Sequence, residues 1–140
     1  MQDSIFRLES NTVDVVVKTH PFAEILYWGA HLQHFSPQDV LSIARPVANG
    51  RLDVDSPVTL MAELGHGLFG SPGIEGHRQG LDGSPVFKTT QVQQALNALT
   101  ITAEDEHAGL RLTSEITLDA SGVLVVRHGS VSYTHLRAHE

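Results

Sequence analysis

The chain has 140 residues, 41% hydrophobic and 18% charged, with a formal net charge of -7. That balance suits one globular domain or a piece of one, while the acidic sign disfavours nucleic acid or anionic membrane as a partner, and no segment reads as a bilayer span. Cysteine is absent, which excludes a disulfide framework, a thiol nucleophile and a cysteine zinc site; with no signal-peptide pattern in MQDSIFRLES, a cytoplasmic location is expected.

Two short strands are expected first. Phe6 and Leu8 alternate with Arg7 and Glu9, and Val13, Val15 and Val17 share a face before His20 and Pro21. Residues 23–29, AEILYWG, form a third apolar run, in which β-branched and aromatic residues favour strand over helix. Within it the Tyr27-Trp28 pair reads as core, with one ring on each face. The alternative is an exposed platform on which the apolar side of a pyranose could stack.

The middle, residues 36–84, holds four of the six prolines and has no strong period. Only residues 58–62, VTLMA, read there as a short strand, and so long an irregular stretch counts against a complete small domain. Its most unusual part is residues 63–78, ELGHGLFGSPGIEGHR, with five glycines and two histidines. Glycine at that density marks shaped backbone, since it accepts positive φ and lets other groups approach closely. His66 and His77 lie near Glu63 and Glu75, but no HExxH spacing occurs, so no metal site is expected. GHGLFG and GSPGIEG lack the Lys-Ser/Thr of a phosphate loop, and Ser71 does not sit in a GxSxG elbow. No cofactor is expected. A structural or interfacial loop is expected instead, with Phe69 and Ile74 buried as anchors, Pro72-Gly73 turning the chain, and Arg78 paired with Glu75 or Glu63.

After Pro85, residues 86–92 are expected to form a strand, and Leu99, Ile101 and Ala103 alternate with Thr100 and Thr102. Leu110, Leu112, Ser114, Ile116 and Leu118 share one face of a half-buried antiparallel strand. Residues 119–122 supply a turn, and 123–127, VLVVR, return as a strand apolar on both faces, which reads as a hairpin near a sandwich core. The fold class is all-β, an antiparallel β-sandwich.

Several of these segments also carry a resemblance. Tyr27-Trp28-Gly29, Leu52-Asp53-Val54-Asp55, the string FGSPGIEGHR at 69–78, Gly109-Leu110, and GVLVVRH at 122–128 follow one another in the order found in bacterial α-galactosidases of glycoside hydrolase family 36. The chain resembles the start of their N-terminal β-supersandwich domain, so an incomplete supersandwich over residues 1–129 is implied. Family members place that domain before a (β/α)8 barrel and hydrolyse terminal α-galactosides such as melibiose and raffinose with retention. Such chemistry uses two carboxylates about 5 Å apart, which the resemblance places on the barrel. The only tryptophan, Trp28, follows Tyr27 where the family's nucleophile motif has Lys-Trp, and no βαβ pattern is present. No catalytic residue is therefore assigned to this chain, and the fragment is expected to be inactive alone. The resemblance further implies a homo-oligomer, in which a loop aspartate of the N-terminal domain reaches a neighbour's pocket. Asp53 is the first choice and Asp55 the second, because a carboxylate accepts hydrogen bonds from sugar hydroxyls. Residues 130–140, SVSYTHLRAHE, resemble translated sequencing-adapter read-through and are expected to be a non-native tail. The competing reading of the whole chain is an independent carbohydrate- or protein-binding β-sandwich.

Overall fold

Strands that alternate polar and apolar residues each present a face that must be covered. In the computed structural model, which describes residues 4–34, 36, 39 and 59–133, two antiparallel sheets cover each other. The first contains β1 (Ile5–Glu9), β2 (Val13–Lys18) and β3 (Glu24–Ala30), in the order β1-β2-β3. The second contains β4 (Lys88–Ala95), β5 (Ala98–Asp105), β6 (Leu110–Leu118) and β7 (Leu124–Ser132), in the order β4-β5-β6-β7. Leu8, Val15 and Val17 from the first sheet meet Leu99, Ile101, Ile116 and Leu118 from the second in one fully buried cluster. Burial of each such side chain stabilises the fold by about 1.5–3 kcal/mol. A second cluster, Phe87, Ala103 and Leu112, lies toward one end, with Met61, Ile74 and Leu110 packed against it.

β6 has the expected alternation, with Leu112, Ser114, Ile116 and Leu118 buried and Arg111, Glu115 and Thr117 exposed. Its turn into β7 is organised by Asp119, whose Oδ1 accepts from the Ser121 and Val123 amides at 2.8 and 3.0 Å.

β2 differs from its expected one-sided pattern, because Asp14 and Val16 are buried as well. Asp14 accepts from Arg7 Nη2 at 2.8 Å and from the Leu32 amide at 2.7 Å, with His31 Nδ1 at 3.1 Å. Burial works against its charge, but the Leu32 amide, His31 and Arg7 outweigh it and hold the carboxyl below its ordinary range. A charge can therefore occupy the middle of the sheet's outer face.

Three expectations need correction. The strand expected over 86–92 begins at Lys88 and runs to Ala95. Carboxylates claim the preceding amides: Val86 N–H donates to Asp105 Oδ2 at 2.8 Å and Phe87 N–H to Glu63 Oε2 at 3.1 Å. In the short strand expected over 58–62, Val58 lies outside the described residues and Thr59 forms only an isolated bridge to Glu24. β7 is not covered on both faces. It ends the sheet order, so Leu124 and Val126 pack on the core while Val123, Val125 and Val131 are exposed. Ser130 to Ser132 continue the strand opposite Leu112 to Leu110.

Candidate functional site

The glycine-rich segment 63–78 is held at both ends by side chains, Glu63 at one and Arg78 at the other. Its first part is a single 3-10 turn, Leu64–His66, closed by Gly67 at φ 84 with its amide on Leu64 O at 2.9 Å. The turn lies directly on the backbone leading into β4. A Cβ at Gly65 would stand 2.4 Å from Val86 Cγ2 and 2.6 Å from the Pro85 carbonyl, so only glycine fits there.

Glu63 sits beneath this turn, 4% exposed. Its Oε2 accepts from the Phe87 amide and lies 3.0 Å from His66 Nε2. The His66 ring rests against Phe22, with centroids 4.6 Å apart. Burial, reinforced by the nearby Asp105 carboxylate, pushes the Glu63 carboxyl up to about 7 in spite of the Phe87 amide. Burial lowers His66. Both groups are thus driven toward their neutral forms.

The segment's second part returns to the sheet. Gly73 N–H donates to Ala62 O at 2.8 Å, and Ile74 packs on the Phe87 cluster as expected. Phe69 does not. It is 89% exposed, carried outward between Gly67 and Gly70, and so is no anchor within this chain. Arg78 pairs with neither Glu75 nor Glu63. Its guanidinium donates to the Ala108 carbonyl and to Ser132 Oγ (2.7 Å) and lies 3.6 Å from Asp82, joining the loop to the β5–β6 turn and to β7. Glu63 is too deep beneath the opposite end of the loop to serve. Between Ile74, Glu75 and His77 on one side and Leu110, Ser130 and Ser132 on the other lies a cleft of about 300 Å³.

The core reading of Tyr27-Trp28 is also corrected. Trp28 is 63% exposed on β3, an edge of its sheet, and Tyr27 is half-buried with its hydroxyl donating to Ala30 O at 2.8 Å. Asp53 and Asp55 lie outside the described residues. Among the described residues, no three His, Cys, Asp or Glu side chains are grouped to hold a metal ion. Ser71 is exposed. A serine-histidine contact does exist elsewhere, Ser114 Oγ to His128 Nδ1 at 2.9 Å, but Ser114 is 3% exposed and faces the core.

Sequence reasoning missed the joint role of Glu63 and Asp105 in capping the Val86 and Phe87 amides ahead of β4. The available signal was the Glu-Leu-Gly-His spacing, which places Glu63 and His66 three residues apart, next to the apolar Met61-Ala62. Arg78's attachment to Ala108 carried no local signal.

Fold and site together define an all-β sandwich domain with a docked, glycine-rich loop. Residues 22–136 match the glycosyl hydrolase family 36 N-terminal domain, and the chain belongs to that family. It is 57% identical over 131 residues to an alpha-galactosidase of Escherichia coli. The aligned stretch takes in 94% of this chain and 18% of the relative, so the chain spans less than a fifth of that protein's length.

Proposed function

We propose that this chain serves as the accessory and oligomerisation domain of a retaining α-galactosidase, and that hydrolysis of substrates such as melibiose and raffinose belongs to a barrel supplied by the rest of the enzyme. The observation that carries the reading is the 57% identity to an enzyme of which this chain matches only 18%. Exposed apolar groups support it: Phe69 at the loop tip and Val125 on the terminal strand β7 are suited to cover by further protein. In the assembled enzyme Asp53, or failing it Asp55, lines a neighbouring subunit's sugar pocket. Residues 130–140 are the proposed non-native tail and lie outside the accessory domain's role. The enzyme works in the cytoplasm, a reading consistent with the absence of any helix among the described residues long and apolar enough to cross a membrane.

The test begins with the 140-residue chain alone, which is expected not to hydrolyse melibiose; turnover by the purified chain would overturn the proposal. In the full-length enzyme, Asp53→Ala is expected to raise KM for an α-galactoside more than it lowers kcat, and unchanged kinetics would discard that residue. The exposed Trp28 favours a second reading, an independent sugar-binding module. Titration with raffinose separates the two, because a dissociation constant well below about 1 mM for the isolated chain supports the module.

A further inference from the structure

Glu63 is an acid enclosed largely by apolar groups. A small void beside it is lined by Phe22, Met61, Phe87 and Leu112, among others. Its Oε2 stands between the Phe87 amide at 3.1 Å and His66 Nε2 at 3.0 Å. The histidine contact is short but off-axis, and Nε2 has no aligned hydrogen-bond partner among the described residues. From the end of β5, Asp105 presents a second carboxylate. Burial opposes its charge, but the Ala108, Val86 and His107 amides and the His107 ring outweigh that and keep it ionised. His107 itself is exposed and lies 3.5 Å from Asp82.

Glu63 therefore faces a fixed negative charge on one side and a desolvated imidazole on the other. Ionising both Glu63 and His66 would leave two charges in apolar surroundings, whereas a neutral acid beside a neutral imidazole leaves none. We propose that Glu63 keeps its proton while the glycine-rich loop is docked, and that this neutral acid, buried beside the His66 imidazole, latches the loop onto the backbone leading into β4, so that docking weakens when the proton is lost. Loss of the proton leaves a buried carboxylate next to Asp105, held by a single amide, and the turn at 64–66 opens to hydrate it.

The direction follows from linkage. The carboxyl rises from 4.5 to about 7 in the docked loop, so its stabilising contribution is complete below 4.5 and is lost as pH rises through about 7. Burial moves His66 the opposite way, so the wild-type profile mixes two opposed effects. Comparison with Glu63→Gln, which keeps an oxygen for the Phe87 amide but cannot ionise, isolates the part of the profile that depends on the Glu63 proton.

Hydrogen exchange at the Phe87 and Gly67 amides of the 140-residue chain, corrected for intrinsic rates, reads loop opening directly. The ratio of wild-type to Glu63→Gln opening constants is expected to rise about tenfold per pH unit above 4.5 and to level off near 7, about 300-fold in all. A ratio that does not change with pH would overturn the latch. Should the variant fail to fold, the carboxyl carbon shift of Glu63 in the wild-type chain decides. A titration midpoint above about 6 supports the retained proton, and one at or below that value overturns it.

Discussion

The sheet formed by β5, β6 and β7 and the loop over 63–78 hold their backbones in different ways. In the sheet, every residue of β6 from Leu110 to Thr117 is matched to a partner on each side, so their amides and carbonyls are satisfied by the ladder itself. In the loop, few such ladders exist. Glu63 fastens one end to the Phe87 amide, and Arg78 fastens the other to Ala108 and Ser132. The difference teaches where mutation should concentrate its damage. The sheet's stability is spread over many contacts and one apolar core, whereas the two ends of the loop are each fastened by one side chain, Glu63 and Arg78, that can be removed singly.

The largest expected effect lies in the sheet. Ile116 is fully buried between the two sheets, and Ile116→Ala is expected to cost about 2–5 kcal/mol, read as a lower denaturant midpoint. A loss below about 1 kcal/mol would mean that the sandwich core is looser than its burial indicates. Next comes Arg78→Ala. It removes the guanidinium that donates to the Ala108 carbonyl and to Ser132 Oγ, and a cost of about 1–2 kcal/mol is expected. Because the guanidinium is partly exposed, little of that comes from the Asp82 ion pair. Exchange protection should fall in the loop and at the end of β7 while β5 stays unchanged; uniform loss across both regions would erase the distinction between them. The smallest effect is expected at the loop tip, where Phe69→Ala should change the stability of this chain by no more than about 0.5 kcal/mol. In the complete enzyme the same substitution should loosen the oligomer or lower the melting temperature, as its proposed interface role requires.

This contrast also explains what could be read from the sequence. β5, β6 and the turn at 119–122 are visible because alternation and a turn are local signals, repeated residue by residue. The start of β4 is not, because the groups that divert the Val86 and Phe87 amides from the ladder lie 19 and 24 residues away along the chain. Phe69 misleads for a related reason. An apolar side chain between glycines states that it favours burial but not whether this chain provides the cover. The same holds for Trp28 on its edge strand. Asp14 illustrates the converse, a charge placed by alternation on the polar face yet buried by Arg7, His31 and Leu32. For the site, the glycine-rich loop was visible as a family marker, while the buried proton beneath it required three-dimensional proximity among Glu63, His66 and Asp105.

The most direct measurement of the central claim is a domain exchange. This chain is substituted for the matching segment of the Escherichia coli alpha-galactosidase, and hydrolysis of melibiose is compared with that of the parent enzyme. A folded chimera with kcat/KM within about tenfold of the parent is expected, since that margin corresponds to only about 1.4 kcal/mol in the transition state. A chimera that folds and assembles like the parent yet fails to hydrolyse melibiose would contradict the account.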